Sequence, residues 1–166
     1  MQRVEQTLTI LQKENKLLLG LKKHGFGEGR WNGFGGKVKE NECVRTAAIR
    51  EMQEEAGVKI KDPQLTGIME FYFSGKDEFY QVYVFRASKY SGEPKESEEM
   101  KPQWFTTDKI PYEEMWVDDK HWLPLFLRGK DFYSQFHFID QTSLYTYELR
   151  EMNWARMNLA LNKKSL

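Results

Sequence analysis

Cysteine is nearly absent: Cys43 stands alone among 166 residues. No internal disulfide can form, and the single thiol fits a reducing compartment. An excess of either charge is also missing, with 25 Lys and Arg against 25 Asp and Glu. That argues against a dedicated nucleic-acid binder, whose domain carries a basic surplus, although a local basic cleft stays open. No apolar run approaches the length of a membrane span, and the N-terminus lacks a secretory apolar core. The expectation is a cytoplasmic protein with no membrane partner. Repeats, low-complexity segments and dividing linkers are lacking too. A chain of this length is therefore read as a single domain over 1–166.

Aromatic residues and clustered glycines are what the chain has in quantity. The 5 Trp, 8 Tyr and 11 Phe fill a small core, line a stacking pocket, or do both. Alternation of polar and apolar residues predicts strands over Gln6–Leu11, Lys16–Lys22, Gly67–Ser74 and Phe79–Ala87, with Met69, Phe71 and Phe73 sharing one face. A short strand is expected over Gln103–Thr106 and a final hairpin over Phe132–Phe138 and Ser143–Arg150. Ile60–Leu65 reads as a connection broken at Pro63, and Tyr90–Pro102 as a polar loop. A helix starts near Lys120, and Asn153–Leu166 is a candidate amphipathic helix that packs as an appendage. Together these runs predict an α/β fold, a mixed β-sheet flanked by helices in an α/β/α sandwich.

Chemistry concentrates in Gly36–Val58, GKVKENECVRTAAIREMQEEAGV. Val44, Ala48 and Met52 recur every four residues, as on one packed helix face. Asn41 is expected as the turn or cap before this helix, Gly57 as its left-handed end, and Cys43 as a packing residue in its first turn. Glu51, Glu54 and Glu55 share a face that borders the apolar stripe. Three carboxylates there repel each other and lose water, and Arg50 alone cannot neutralise them. A hard divalent cation with oxygen ligands can. A solvated acidic face is the other meaning of such a run.

The preceding segment, HGFGEGRWNGFGG, holds six of the twelve glycines. Glycine lets backbone N–H and C=O groups approach a ligand closely. Asn32 offers an amide suited to a base edge, and Lys22 and Lys23 lie just before, as surface charge or as triphosphate contacts. Further on, MWVDD places Asp118 and Asp119 beside Trp116, Trp122 and Phe126; one of the pair is an alternative helix cap.

Gly36, Glu42, Arg50, Glu51, Glu54, Glu55 and Gly57 match G-x5-E-x7-R-E-U-x-E-E-x-G-U (U aliphatic) at every position. By usual residue frequencies a chance match has odds on the order of 10⁻⁸ per start position. This pattern resembles the box of the Nudix hydrolases, with the box over 36–58 and a C-terminal extension over 151–166. GFGEGRWNGFGGKV, EEMKPQWF and MWVDDKHWLPL resemble the animal-type MutT branch of that family. The resemblance implies Mg²⁺-dependent hydrolysis of oxidised purine nucleoside triphosphates (8-oxo-dGTP, 2-hydroxy-dATP) to monophosphate and pyrophosphate. Mn²⁺ is a possible substitute, and the enzyme would be a monomer that needs no nucleic acid.

Carried over by position, the resemblance gives Glu51, Glu54, Glu55, the Gly35 carbonyl and Glu99 as metal ligands, with Arg50 holding a box glutamate. Glu54 or an acid of the Glu96–Glu99 loop is the general base. Lys22 and Phe34, Gly35, Gly36 and Lys37 would lie near phosphate, and Thr7 belongs to the substrate site. Asn32, Asp118 and Asp119 would hydrogen-bond the purine. Phe26, Phe71, Phe73, Trp116, Trp122 and Phe138 would line the base pocket. Tyr80 stands there where mammalian members have a flexible Met. Other readings are a Nudix hydrolase of a methylated purine triphosphate, a dinucleoside polyphosphate or capped RNA, and a non-catalytic nucleotide-binding module of the same fold.

Overall fold

The computed structural model describes residues 1–153. Beyond its first residue, the helix expected over Asn153–Leu166 lies outside them. Ten strands and two helices follow in order: β1 (Gln2–Lys13), β2 (Lys16–Lys22), β3 (Trp31–Asn32), α1 (Val44–Ala56), β4 (Lys59–Lys61), β5 (Gln64–Phe73), β6 (Glu78–Ala87), β7 (Lys89–Ser91), β8 (Met100–Thr106), α2 (Asp119–Leu127), β9 (Asp131–Phe138) and β10 (Leu144–Met152). A 3₁₀ turn, Tyr112–Glu114, precedes α2. Among the described residues no helix is long and apolar enough to cross a membrane.

The main sheet runs β10-β9-β5-β6-β1-β2-β3, with β8 also paired to β2. β1 lies parallel to β6 and β5 parallel to β9; the other pairs are antiparallel. Alternation along the central strands divides their side chains between two cores, because successive residues face opposite ways. Leu17, Leu19, Val82, Val84 and Met69 pack with Leu123 and Phe126 of α2. The intervening Leu18 packs with Met52 and Ala56 of α1, and Ile68, Tyr83 and Phe85 pack with Ala48 of the same helix. The helices therefore cover opposite faces of the mixed sheet, as the α/β/α reading requires.

Helix α1 ends where Gly57 turns left-handed at φ 69° and returns its N–H to the Gln53 carbonyl, a conformation that costs a Cβ-bearing residue more. At its start Asn41 is the turn residue, with φ 61°, and the cap position belongs to Cys43, whose reading as a packing residue needs correction. Cys43 is exposed rather than packed, its thiol beside the Thr46 hydroxyl at 3.0 Å. Two more corrections concern β4 and β7. They pair with each other in a small second sheet, so strands run into the start of the segments read as a connection and a loop. β8 likewise begins at Met100, inside the expected loop.

Candidate active site

A cavity of about 1020 Å³ opens on the α2 side of the sheet and runs from the glycine-rich segment to the β9–β10 turn. Its polar end is built by β1, the Gly35–Gly36 segment and α1. Thr9 pairs with Phe34 through two backbone hydrogen bonds, and the Thr7 N–H donates to the Gly36 carbonyl at 2.9 Å. Strand alternation then turns the backbone groups of Gly35 away from β1, and the Gly35 N–H donates to Glu55 Oε2 at 2.9 Å. The approach is so close that a Cβ on Gly35 would lie 1.8 Å from the Thr7 carbonyl oxygen. A Cβ on Gly36 would lie 2.6 Å from Glu51 Oε1. Glu51 and Glu55 therefore converge on one dipeptide.

The three helix acids differ in environment. Glu55 is buried, and desolvation pushes its carboxyl up to about 8; the Gly35 N–H and Lys22 oppose this, while Glu51 and Glu99 add repulsion. Glu51 is half-buried and Glu54 is exposed. Arg50 joins both to the loop before the helix. Its Nη1 meets Glu51 at 2.6 Å and Glu54 at 3.2 Å, and its Nε and Nη2 grip Glu42 at 2.7 and 2.9 Å. The Arg50 hydrogen bond holds the Glu42 carboxyl down at about 2, against the effect of its burial. Arg50 thus binds three glutamates where one was expected. Among the described residues, no three acids, histidines or cysteines are gathered closely enough to form a ready-made metal centre. Glu51 and Glu55 supply hard oxygen ligands against Gly35–Gly36, and that chemistry fits Mg²⁺ better than a softer metal.

Lys22 and Glu99 line the same end and pair at 3.4 Å. Lys23 pairs instead with Glu96 at 2.9 Å and does not line the cavity. Lys37, Thr7 and Asn32 line it as well. The Thr7 hydroxyl is buried without a hydrogen-bond partner. The Asn32 side-chain oxygen accepts the Gly33 N–H at 2.8 Å, so the donors of its amide are what it has to offer.

The other end is aromatic. Phe73 stacks on Phe138 at 5.2 Å, and Phe71 on Phe136 at 5.4 Å. Phe26 stacks on Trp116 at 4.9 Å. Tyr80 meets Phe73 edge-on at 6.0 Å and donates its phenol to Glu78 at 2.6 Å, so its hydroxyl is engaged at the strand end. Asp118 and Asp119 line the same cavity and are 4% and 2% exposed. Neither side chain caps a helix end: Asp118 makes no capping hydrogen bond, and Asp119 accepts the Trp116 N–H at 3.0 Å. Burial pushes both carboxyls up, and repulsion from Asp118 adds to the rise at Asp119. The Trp122 indole N–H favours both ionised forms without closing a hydrogen bond of good geometry.

Several expected residues stand elsewhere. Phe34 is fully buried in the α1-side core against Met52, because strand alternation sends its side chain away from the cavity. Trp122 is core behind the aspartates. Arg50, Glu51 and Glu54 border the site without lining the cavity. Leu8, Met69, Val82 and Met100 form part of its wall unexpectedly. Met69 shares a strand face with Phe71 and Phe73, so the alternation already pointed to it. Ile139 and Gln141 enter from the β9–β10 turn, which was expected as a hairpin turn and not as part of the site.

This acid-bearing helix laid against a glycine dipeptide at the mouth of a deep cavity defines a Nudix-type protein, and the NUDIX domain model matches residues 1–126. The chain belongs to the Nudix family. It is 46% identical over 147 residues to the mouse oxidized purine nucleoside triphosphate hydrolase, covering 89% of this chain and 94% of that protein. The zebrafish protein of the same name is 45% identical, at 88% and 94% coverage. Among solved structures, the MutT protein of Bacillus halodurans superposes with a TM-score of 0.79 at 28% identity, over 88% of this chain and 97% of that one.

Proposed function

We propose that this chain is a single catalytic domain that hydrolyses oxidised purine nucleoside triphosphates to monophosphate and pyrophosphate, as a cytoplasmic monomer requiring Mg²⁺. Two nearly buried aspartates among aromatic rings, in the same cavity as the acid-bearing helix, carry this reading. An apolar pocket alone would hold any purine. A carboxyl pair in low dielectric resists double ionisation, so one member keeps a proton near neutral pH. The pair then offers a donor and an acceptor together, and exchange of the proton lets it meet either 8-oxo-guanine or 2-hydroxy-adenine. Asn32 adds amide donors, and the aromatic walls exclude water from the base.

At the other end Lys22 and Lys37 bind phosphate charge. Glu51, Glu55 and the Gly35 carbonyl would hold Mg²⁺, with Glu99 and Glu54 as further oxygen donors. The ion, when bound, neutralises phosphate charge and activates water. Glu99 lines the cavity and Glu54 does not, so Glu99 is the better placed of the two to take a proton from water. Arg50 fixes Glu51 and the loop over Glu42.

The test is steady-state kcat/KM, read as pyrophosphate release, for 8-oxo-dGTP, 2-hydroxy-dATP, O6-methyl-dGTP and dGTP. The first two should exceed dGTP by at least about a hundredfold, the margin available to a site built to hydrogen-bond its substrate. Comparable values for dGTP, or preference for the methylated purine, would overturn the substrate assignment. Asp119→Asn should change the ratio of the two oxidised substrates, because an amide cannot exchange the proton.

A further inference from the structure

Trp116 is a wall with two sides. It borders the main cavity and also a smaller cleft of about 250 Å³ whose lining includes Arg30, Tyr112 and Met115. Arg30 lines only the smaller cleft. Its guanidinium carbon stands 4.7 Å from the centre of the Trp116 ring, and its Nη1 donates to the Met115 carbonyl at 3.0 Å. The cation is therefore fixed against the indole from outside the cavity.

We propose that Arg30 is a positioning residue for specificity: by backing Trp116 it makes the cavity side of the indole a preferred stacking partner for electron-rich purines. This rests on the reading that oxidised purines occupy the cavity. A cation over one face of an indole is held by the ring's negative quadrupole and draws π density toward itself. The opposite face is left less negative and stacks better on a ring enriched by an extra oxo or hydroxy group. Arg30 also favours the ionised form of Asp119 next to the same ring. Phe26, which also lines the cavity, stacks on the same indole at 4.9 Å, so an entering purine shares the ring with Phe26 or displaces it; of these two loop contacts Arg30 alone brings charge.

The experiment measures kcat and KM of wild type, Arg30→Gln and Arg30→Lys with 8-oxo-dGTP and dGTP, with melting curves for each protein. Loss of a partly desolvated cation–π contact predicts a KM for 8-oxo-dGTP raised about three- to thirtyfold in Arg30→Gln, with kcat within about twofold. The KM for dGTP should rise less, so the preference for the oxidised base falls. Arg30→Lys, which keeps the charge but not the planar group, should lie between. An unchanged preference overturns the proposal, including the case of equal kcat losses on both substrates with a lowered melting point, which marks Arg30 as a brace alone. Should Arg30→Gln not fold, Arg30→Lys decides by the same ratio. Wild type inactive on 8-oxo-dGTP overturns the functional reading itself, an outcome distinct from active wild type with indifferent variants.

Discussion

Gly35 and Gly36 are neighbours with different reasons for having no side chain. A Cβ on Gly35 meets backbone, and that clash is relieved only by pulling the segment off β1. Gly35→Ala should cost about 3 kcal/mol or more, at the upper end of overpacking effects, with activity lost alongside. A Cβ on Gly36 meets the far end of Glu51, which can rotate. Gly36→Ala should change stability by no more than about 1 kcal/mol and still depress kcat, because the displaced carboxylate belongs to the proposed metal site. Melting curves and turnover measured together separate the two.

Asp118 and Asp119 carry a pH dependence with a defined sign. Their carboxyls are raised in the folded protein, so the fold binds more protons than the unfolded chain between the ordinary aspartate range and the raised values. Stability is full below the ordinary range and falls as pH rises through the native ones. Asp119→Asn should therefore melt higher than wild type at pH 8, with no gain at pH 4. A gain at pH 4 equal to that at pH 8 would contradict the account. At this scale residue types were legible in the chain and their directions were not. Phe34 and Trp122 are as aromatic as Phe73 and Trp116, and only the side each turns to separates core from cavity. Arg30 sits among glycines with nothing in its spacing to mark it.

Among the elements, β5 shows that one strand serves two purposes. Met69, Phe71 and Phe73 face the cavity, while Glu70 faces the other way and accepts hydrogen bonds from Tyr72, Tyr133, Gln135 and Gln81 at 2.7 to 3.1 Å. Burial raises the Glu70 carboxyl, but the four donors outweigh it and the net shift is downward. Its contribution to stability is thus present at neutral pH and lost as pH falls through the lowered value. Glu70→Gln should cost about 1–2 kcal/mol near pH 7, after allowing for partial exposure, with the difference shrinking in acid and kcat/KM unchanged. A large loss of activity would mean that the two faces of the sheet are coupled. The long strands and α1 were legible because periodicity accumulates over seven or more residues. β4 and β7 were not, since each has three residues and finds its partner about 30 positions away.

In the whole molecule the two cores keep the acid helix and the aspartate pair on one rigid frame. α1 packs on one face of the sheet, α2 on the other, and the cavity joins them past the edge at Gly35–Gly36. The sequence box marks one end of that cavity and MWVDD the other; the distance between them in the chain hides that they share a single space. Glu55→Gln should separate binding from chemistry. Loss of one carboxylate from the proposed metal site should lower kcat about a hundredfold or more while nucleotide affinity stays within about tenfold, because the proposed base and lysine contacts are untouched. Equilibrium binding of the product monophosphate, set beside turnover, checks this.

The most direct measurement is anomalous diffraction from crystals grown with Mn²⁺ and a non-hydrolysable 8-oxo-purine triphosphate analogue. The account predicts a manganese peak between Glu51, Glu55 and the Gly35 carbonyl, touching the phosphates, with the base against Asp118 and Asp119. A bound analogue with no peak at those acids would contradict it.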